Sequence, residues 1–477
     1  MYGNGGMNAM KYKKSQYNVS VPTGEGSFIL HNTLSGAVAD VKEQEFRTIE
    51  KILGDPNPAT EDLSREEIGI FESLKMGRYI IPIKDNELSI LKLRNLVSRF
   101  SMSHLELEII PTLLCNFACV YCYETRKTKI MSKETQHHLV KWISKEITHL
   151  DSFHVSWFGG EPLIAFDVMR NLSRQFIDLC SANNTKYTAS MPTNGSLLDE
   201  KIASQLTEMN FNHVQFTLDG DEDFHNKMRP GKDGGMTFRK ILNNIINFVH
   251  METGIPISLR VNFNSESIDS VPGLFEKIPE DVRPKLKIYF RPIFAPPEDW
   301  KRKTTICGRA ACSYKKENSE FASPRSSSDP VSKTAKKITE LNQMALEKGF
   351  KITGNSQLSL NPPYYCQVDL YNHFVITPDG SFFKCPVEFE LGDRVGYFDA
   401  DGDLKLNVPG IARWSDKDTF EDEECRGCIL LPLCMGGCQF HIINGKKQCP
   451  TQRYDFENRL KLVYRQHKNN RTTKMSY

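Results

Sequence analysis

Three cysteines at the spacing C-x3-C-x2-C define the stretch Cys115-Asn-Phe-Ala-Cys119-Val-Tyr-Cys122-Tyr-Glu124, which follows the apolar run Leu105–Leu114. A cubane iron–sulfur cluster usually takes four thiolates. Three thiolates from one tight loop leave one iron open, and an open iron can hold and reduce a small chelating molecule. A structural zinc loop is the alternative, but it needs a fourth Cys or His nearby. The nearest histidines, His137 and His138, fall in a predicted helix, so the loop favours a cluster.

Composition is that of a globular protein without an obvious charged or membrane partner. The chain has 477 residues, of which 39% are hydrophobic and 25% charged, and its net charge is +2. This balance gives no argument for binding nucleic acid. No apolar run reaches the roughly 18 residues that a membrane helix requires. The first 14 residues lack the apolar core of a secretory signal, so we expect a cytoplasmic protein.

The 13 cysteines cluster along the chain: three lie in the opening loop and seven between positions 366 and 449. A chain without a secretory signal is not expected to use cysteines as a disulfide scaffold. Metal binding in a reducing cytoplasm therefore explains them better. Cys180, at the end of a predicted helix, is most simply a buried core thiol.

Strands and helices alternate from residue 105 onward. Strands are predicted at 105–111, 153–158, 186–191, 212–218, 256–263 and 286–292. Helical patterns lie between them at about 132–148, 164–181, 198–209, 236–252 and 267–277. Six βα units in a row indicate an α/β fold with a parallel sheet that curves into a partial TIM-type barrel. Functional groups are then expected at the carboxyl ends of the strands, where the cysteine loop lies.

We assign the partial barrel to residues 104–295, and the preceding chain to two parts. Residues 1–16 are expected to be a disordered tail. Residues 17–103 combine a predicted hairpin, with strands at Tyr17–Val21 and Ser27–His31, with short helical patterns, one of them ending at Gly77. Hairpin plus short helices is the build of a small winged-helix module.

Two further parts follow the barrel. Residues 296–360 are a bridging region that contains a Ser/Pro-rich loop at 323–332 and a helix at about 333–347. Residues 361–477 are a cysteine-rich unit with short strands and turns. It ends in an amphipathic helix that carries Phe456, Leu460, Val463 and Tyr464 on one face.

Polar motifs recur where the predicted strands end. Gly159-Gly160-Glu161-Pro162 follows the second strand, Thr193-Asn194-Gly195 the third, and Thr217-Leu218-Asp219-Gly220 the fourth. Each alone is also a common turn. Arg229 and Thr217 together suit a carboxylate, since an arginine binds one bidentately. Arg260, Asn262 and Arg291 on the last two strands are further candidates, although a structural ion pair explains Arg291 equally well.

The cysteine loop together with Gly-Gly-Glu-Pro, Thr-Asn-Gly and Leu-Asp-Gly resembles the radical S-adenosylmethionine (SAM) enzymes over about residues 105–295. The resemblance implies that Cys115, Cys119 and Cys122 hold a four-iron, four-sulfur (4Fe–4S) cluster. Its open iron would bind the amino and carboxylate groups of SAM. The candidate SAM contacts that follow from the motifs are Tyr121, Gly160, Glu161, Thr217 and Arg229.

The later cysteines are similar in spacing to the seven-cysteine SPASM domain: Cys366, Cys385, Cys425, Cys428, Cys434, Cys438 and Cys449. By that resemblance Cys425, Cys428, Cys434 and Cys449 would hold one auxiliary 4Fe–4S cluster, and Cys366, Cys385 and Cys438 the other. Cys312 is the favoured fourth ligand of the latter, with Cys307 or no protein ligand as alternatives. A pair of zinc knuckles would explain the four cysteines at 425–438 but not the remaining three.

The combined resemblance implies a maturase of a ribosomally made precursor peptide. A 5′-deoxyadenosyl radical would remove a hydrogen atom from a peptide residue, leading to a thioether, carbon–carbon or similar crosslink. The N-terminal module resembles domains that bind leader peptides by strand addition, although simple packing on the barrel is an equal alternative. An electron donor such as flavodoxin or ferredoxin is implied, and neither nucleic acid nor membrane.

Two other functions remain open. Anaerobic sulfatase-maturating enzymes usually have an aspartate base directly after the second SPASM cysteine, whereas Pro386 follows Cys385 in this chain. Glu388 is the nearest carboxylate, and Asp219, Tyr289 and Arg291 are other candidates for acid–base roles. A non-catalytic iron–sulfur or zinc scaffold is the third possibility.

Overall fold

A computed structural model describes residues 11–56, 58, 63–122, 129–264, 267–293, 328–352, 364–388, 394–445 and 447–474. Cys307 and Cys312, the candidate ligands from the bridging region, lie outside the described residues. The other predicted site residues lie within them. No helix in this described part is both long and apolar enough to cross a membrane.

The N-terminal module is a three-stranded antiparallel sheet with three helices and a separate two-stranded ribbon. Its elements are β1 Tyr12–Lys14, β2 Asn18–Pro22, β3 Ser27–Asn32, β4 Val38–Lys42, α1 Glu43–Gly54, α2 Arg65–Met76, β5 Ile80–Pro82 and α3 Glu87–Arg99. The predicted hairpin is β2–β3, with Pro22 opposite Phe28. The expected disordered tail is wrong for residues 12–16. Tyr12–Lys14 pairs with β5, and Ser15 donates a hydrogen bond to buried Glu87 at 2.6 Å.

Local sequence signals explain the helices of this module. Ser64 caps α2 in a reciprocal capping box with Glu67, which satisfies two backbone N–H groups at the helix start. The helix α3 was not predicted from the sequence, although Asn86 caps it through Ser89. One apolar face of α3 packs against the protein and another is exposed. Its apolar residues therefore do not form the single stripe that marks an amphipathic helix.

The central unit is the predicted strand–helix alternation. Its strands are β6 His104–Thr112, β7 Ser152–Gly159, β8 Lys186–Thr193, β9 Phe211–Thr217, β10 Ile257–Phe263 and β11 Leu286–Pro292. Its helices are α4 Lys133–Glu146, α5 Phe166–Ala182, α6 Glu200–Glu208, α7 Glu222–Met228, α8 Phe238–His250 and α9 Val271–Lys277. Each predicted strand is observed, the pairing is parallel from β6 to β11, and only α7 is additional.

The parallel sheet extends beyond the predicted barrel at both edges. The remaining strands are β12 Lys351–Ile352, β13 His373–Ile376, β14 Ser381–Phe383, β15 Gly396–Phe398 and β16 Leu404–Leu406. β12 pairs in parallel with β11, and β13 pairs in parallel with β6. Bridging and cysteine-rich regions thus share one 11-stranded sheet with the barrel in the described part of the chain.

The remaining helices are α10 Ser328–Glu347, α11 Val408–Ser415, α12 Glu423–Arg426, α13 Leu431–Cys434, α14 Gln439–Ile443 and α15 Phe456–Lys474. The predicted loop at 323–332 is wrong at its end, because α10 already begins at Ser328. Pro330 stands in the first turn of α10, where proline needs no hydrogen-bond donor. On α15, Leu460 is buried against Val19 and Val21, so this helix covers the N-terminal hairpin.

Candidate functional site

The cysteine loop lies at the carboxyl end of β6 and is held by the segment that follows α7. Backbone N–H groups of Ala118 and Val120 donate to the carbonyls of Pro230 and Met228, at 2.8 and 3.0 Å. In return, Lys232 N donates to Asn116 O at 2.9 Å. These reciprocal bonds fix the loop backbone on both sides of the second cysteine, Cys119.

Side chains from the end of β8 hold the same loop from another direction. Asn116 donates to Ser196 Oγ and accepts from Asn194 Nδ2, both at 2.8 Å. The turn that carries Asn194 is in turn held by Glu161. Its carboxylate accepts from Thr193 Oγ1 and from the Asn194 backbone N–H, both at 2.8 Å.

These contacts change the expected role of Glu161. Its side chain is completely buried, and its oxygens also accept from the Leu163 N–H at 3.2 Å. Its carboxylate therefore supports the turn that carries Asn194, and its contact with SAM stays a prediction.

The two glycines before Glu161 are required by close backbone packing. A Cβ on Gly160 would lie 2.3 Å from Leu114 O, and one on Gly159 would lie 2.5 Å from Thr112 O. Gly159 also has φ of +110°. Hence Gly159 and Gly160 let the end of β7 lie directly against the chain that enters the cysteine loop.

A buried polar cluster lies beside the cysteine loop, where Tyr121 and Arg229 interact electrostatically with Cys119. The Tyr121 hydroxyl donates to Asp219 Oδ2 and accepts from Arg229 Nη1 at 2.7 Å. Asn262 completes the cluster, donating its backbone N–H to Asp219 Oδ1 at 3.0 Å and its Nδ2 to Tyr121 at 3.2 Å. Arg229 and Asp219 are 3.8 Å apart, with side chains only 10% and 0% exposed. The fold thus brings together four residues from four segments.

The electrostatics of this cluster favour a neutral tyrosine beside a protonated arginine. Burial raises the pKa of Tyr121 well above its ordinary value, and Asp219 acts in the same direction. His225 Nδ1 accepts from the Asp219 backbone N–H at 3.1 Å, and burial holds the pKa of His225 well below its ordinary value. Thr217 lies at the end of β9 opposite Arg260 on β10, and is buried.

The three thiols of the loop differ in exposure. Cys115 and Cys119 are partly buried and Cys122 is exposed, and none is in a disulfide. The Phe117 backbone N–H donates to Cys115 Sγ at 3.5 Å. Burial raises the pKa of Cys115 to about 11, against the effect of that hydrogen bond. Since an iron–sulfur cluster binds thiolates, binding of the cluster must supply the free energy that ionises the Cys115 thiol.

The C-terminal cysteines fall into two groups. Cys434 interacts electrostatically with Cys425, Cys428 and Cys449; the second group consists of Cys366, Cys385 and Cys438. This division is the one that the seven-cysteine resemblance implies. Among the described residues, no three His, Cys, Asp or Glu side chains converge to bind one metal ion directly. The thiolates that hold a 4Fe–4S cluster lie farther apart than those that hold a single zinc ion, because Zn–S bonds are only about 2.3 Å long.

Backbone hydrogen bonds to sulfur recur at these cysteines and suit cluster ligation. N–H groups two residues onward, at Val368, Val387 and Gly436, lower the pKa of Cys366, Cys385 and Cys434. Burial dominates, however, and raises the pKa of Cys366 and of Cys434 to about 12. Hydrogen bonds to sulfur are among the features that tune iron–sulfur clusters. The donor set therefore fits such a cluster.

Histidines 137 and 138, considered above as zinc ligands, lie on α4 away from the loop's contacts. His138 packs edge-on against Phe398, with ring centroids 5.8 Å apart.

The concave face of the sheet, which lines the barrel interior, is polar. Side chains on the convex face of β6–β11 pack against helices in the main core. The partly or fully exposed side chains that alternate with them are Glu106, Glu108, His154, Ser156, Thr188, Ser190, His213, Gln215, Arg260, Lys287, Tyr289 and Arg291. TIM-barrel interiors are usually filled by bulky apolar residues. This interior is therefore suited to a polar ligand.

Charge is segregated across this interior. Glu106 and Glu108 lie on β6, whereas Arg260, Lys287 and Arg291 lie on β10 and β11 at the other end of the arc. Burial raises the pKa of Glu106 to about 7, and the neighbouring Glu108 adds to the effect. Sequence reasoning missed these glutamates, although their strict alternation with Leu105, Leu107 and Ile109 was visible.

Of the predicted SAM contacts, the structure brings Tyr121 and Arg229 into one cluster. Gly160 and Glu161 support the loop from β7, and Thr217 lies at the next strand end. Asn116, Asn194 and Ser196 were not singled out as supports of the loop, because amides next to turns carry no signal of their distant partners.

Comparisons with known proteins agree with this geometry. Residues 109–276 match the sequence model of the Radical SAM superfamily. The chain is 27% identical to Fe-coproporphyrin III synthase of Methanosarcina barkeri over 175 residues, 37% of this chain and 41% of that protein. It is 25% identical to the cysteine-type anaerobic sulfatase-maturating enzyme of Clostridium novyi over 357 residues, 68% of this chain and 85% of that protein.

The fold is also similar to a solved structure, native anSMEcpe with bound AdoMet and Cp18Cys peptide. The TM-score is 0.53 at 21% identity, over 76% of this chain and 99% of that one. The family and sequence matches show that the chain contains a radical SAM domain and is an enzyme, so the non-catalytic alternative is wrong. The solved structure shows the similarity of fold. The family implies a 4Fe–4S cluster and SAM.

Proposed function

We propose that this radical SAM enzyme is a peptide maturase, which abstracts a hydrogen atom from a residue of a ribosomally made precursor peptide to form a crosslink. The observation that carries the proposal is the pairing of two cysteine regions on one sheet. The loop at Cys115–Cys122 follows β6. In the other group, Cys366 precedes β13, the parallel neighbour of β6, Cys385 follows β14, and Cys438 interacts with both. Both regions thus lie beside the strand that begins the polar barrel interior.

In this proposal Cys115, Cys119 and Cys122 hold the cluster that binds SAM, and the seven later cysteines hold two auxiliary clusters. When bound and reduced, the first cluster supplies the electron that cleaves SAM to methionine and a 5′-deoxyadenosyl radical. The protein fixes the loop through Asn116 and orients SAM near Tyr121 and Arg229. Precise placement of the reacting carbon against the radical is the part of catalysis that the chain itself provides.

A peptide substrate suits the open, polar interior between the two regions. The carboxylates of Glu106 and Glu108 on one side and the cations of Arg260 and Arg291 on the other can orient a segment that carries both charges. Ion pairs within such a partly buried space are screened less than those on the surface. An external donor such as flavodoxin or ferredoxin would supply electrons.

The N-terminal module supplies a surface for the leader part of the precursor. β4 is an edge strand of its sheet in the described part of the chain, which leaves a place for strand addition. Leu93 and Val97 on α3 and Phe100 at its C-terminal cap are 63%, 64% and 43% exposed. Their spacing of four and three residues puts them on one helical face, and exposed apolar faces mark interaction sites.

Formylglycine formation on a sulfatase is the second candidate. It is favoured by the relative from Clostridium novyi, 85% of whose length is matched. Against it, Pro386 occupies the position expected for an aspartate base, and Glu388 is 4.0 Å from Arg413 in an ion pair. About a quarter of this chain also has no counterpart in the anSMEcpe structure, which is itself covered almost completely.

The test is anaerobic incubation of the reconstituted enzyme with SAM, a strong reductant and two kinds of peptide. One is a short precursor encoded beside the enzyme's gene, and the other is a sulfatase peptide with its Cys or Ser. We expect 5′-deoxyadenosine together with a precursor product that has lost two hydrogen atoms. Formylglycine in the sulfatase peptide, with an unchanged precursor, would replace the proposal by the second candidate.

Leader docking has its own test, namely Val97→Glu with the buried-face control Leu88→Met. We expect Val97→Glu to weaken precursor binding about tenfold, equivalent to about 1.4 kcal/mol, by placing a charge in an apolar contact. 5′-Deoxyadenosine formation without peptide should not change. Equal binding by Val97→Glu and wild type would exclude this face of α3 as the docking surface.

A further inference from the structure

Arg459, on α15, is a buried arginine whose hydrogen bonding is incomplete. The residue is 5% exposed, and its Nη1 is buried without a hydrogen-bond partner in the described part of the chain. Burial lowers the pKa of Arg459 to about 10, so its guanidinium is still charged at neutral pH. Charged residues are almost never this buried unless they are paired. The hydrogen bonds of Arg459 therefore do not account for the burial of its charge.

Two charged groups interact electrostatically with Arg459: Asp455, one turn earlier in the chain, and Arg291 at the end of β11. Although both Asp455 and Arg459 are among the described residues, no ion pair forms between them. The Asp455 Oδ1 instead accepts from Asn458 Nδ2 at 2.8 Å. Arg291 is a second cation and repels the first. An anion bound near these two arginines would relieve that repulsion.

The side chain of Arg291 is available to such an anion. It is exposed, and within the described ranges it forms neither a hydrogen bond nor an ion pair. The structural ion pair considered for Arg291 from the sequence is thus not found among these residues. Arg260 on the neighbouring strand differs, because its Nε donates to Asn262 Oδ1 at 2.8 Å. Arg291 is therefore the better candidate of the two for binding a ligand.

Arg291 also lies between the two cysteine regions. It is in register with Asn262 on β10, whose Nδ2 donates to the Tyr121 hydroxyl at 3.2 Å beside the cysteine loop. On its other side it interacts electrostatically with Tyr365, which precedes Cys366 and interacts with that thiol. An anion held by Arg291 would consequently lie near both regions.

We propose that Arg291 binds a carboxylate of the precursor peptide and that Arg459 is a positioning residue whose buried charge strengthens this binding. The inference rests on the proposed function, because it takes the ligand from a peptide substrate. An arginine presents parallel N–H donors that match a carboxylate, and such a pair is stronger than a neutral hydrogen bond. The carboxylate belongs to an Asp or Glu side chain or to the C-terminus of the peptide. Its capture would hold the neighbouring peptide carbon in place for hydrogen abstraction.

The test measures how the reconstituted full-length enzyme binds three forms of the precursor encoded beside its gene. One form is unchanged, one has Asn or Gln for every Asp or Glu after the leader, and one has a C-terminal amide. We expect the wild type to bind one altered form at least about tenfold more weakly than the unchanged form. Arg291→Met should bind these two forms equally. The matched control Lys287→Met, which removes another cation from β11, should keep the wild-type ratio of affinities.

Arg459→Met tests the positioning role through the same ratio. We expect the ratio to fall to about threefold or less, because the carboxylate loses the attraction of the buried charge. A merely structural role of Arg459 would weaken the binding of all three peptides alike and leave the ratio as in the wild type. If Arg459→Met does not fold, the ratios of Arg291→Met and Lys287→Met still decide whether Arg291 binds the carboxylate.

Product formation from the unchanged precursor, measured on the same samples, separates the inference from the function beneath it. Equal binding of all three peptides by a wild type that forms product would overturn the inference and leave the proposed function standing. A wild-type ratio in Arg291→Met would do the same. Weak binding of the amidated form alone would support the inference and assign the carboxylate to the C-terminus. A wild type that binds no form of the precursor would overturn the inference and the proposed function together.

Discussion

The two cysteine regions differ in how the chain builds them. The loop at Cys115–Cys122 takes its three thiols from eight consecutive residues, and Cys122 is exposed. The C-terminal groups take theirs from segments up to 83 residues apart, between Cys366 and Cys449, and Cys385 and Cys425 are buried. A local loop leaves room for a ligand beside its metal, whereas a site assembled from distant segments encloses it.

The residues that surround the two cysteine regions also differ. The loop is supported by neutral amides and by one balanced ion pair, Asp219–Arg229. The group of Cys366, Cys385 and Cys438 instead lies beside the buried Lys384, whose Nζ donates to the carbonyls of Leu370, His373 and Tyr371. We propose a division of work, in which the first region binds and cleaves SAM and the second takes part in product formation.

Removing a ligand from the first region should have the largest effect. Cys119→Ala is expected to abolish 5′-deoxyadenosine release, by at least about a thousandfold, because an electron can no longer reach SAM through the cluster. Iron content should fall by about four per chain, leaving that of the second region. Quantifying the nucleoside chromatographically and the iron in the same samples checks both points. Release at a tenth of the wild-type rate would show that the loop does not hold the reactive cluster.

Removing a ligand from the second region should separate SAM cleavage from product formation. Cys366→Ala is expected to lose about four irons per chain as well. It should still release 5′-deoxyadenosine at a rate within about threefold of wild type, since its site is distinct, while crosslinked peptide is lost. The measurement is product mass spectrometry beside nucleoside release. Normal product from Cys366→Ala would remove the second region from the reaction.

The ion pair behind the first region should dominate stability there. Arg229→Met leaves the Asp219 carboxylate buried without its cation, and we expect a loss of about 3–5 kcal/mol in the free energy of unfolding. The matched control is Arg239→Met, whose ion pair with Glu222 involves an arginine side chain that is 82% exposed. That control should change stability little, because solvent screens exposed ion pairs. Denaturant unfolding of both variants checks the difference, and equal losses would contradict the buried cluster.

The smallest effect is expected from the barrel interior between the two regions, where Glu106 should make the free energy of unfolding depend on pH. Glu106 titrates near 4.5 when unfolded, and burial raises its pKa to about 7 in the folded protein. The folded state thus holds a proton that the unfolded state has lost between these values, so stability falls as pH rises from 4.5 to 7. The loss should reach about 2–3 kcal/mol. Glu106→Gln should flatten this dependence, measured by unfolding at pH 5 and pH 8, and an unchanged slope would assign it to another group.

Sequence patterns predicted the barrel well because both of its signals are local. Apolar alternation marked β6 to β11, and Gly, Asn and Asp marked the ends of these strands. The helix α3 was missed since its exposed apolar face, with Leu93 and Val97, breaks the usual amphipathic pattern. The shared sheet was missed because pairing of β13 with β6 joins residues more than 260 positions apart.

The sequence predicted the candidate site about as completely as it predicted the fold. Spacing alone pointed to Cys115, Cys119 and Cys122, and to the seven later cysteines. It did not show that the Glu161 carboxylate is hydrogen-bonded to Thr193 and Asn194, because hydrogen bonds between strand ends depend on the register of the sheet. Nor did it reveal that Lys384 and Lys417 are buried, since isolated lysines are normally exposed.

The central claim is that one chain carries a reactive cluster site and two further cluster sites. Iron and acid-labile sulfide per chain after anaerobic reconstitution test it most directly. Three 4Fe–4S clusters predict about 11–12 of each, with little zinc. About four irons per chain, or zinc in place of iron at the C-terminal cysteines, would contradict the account.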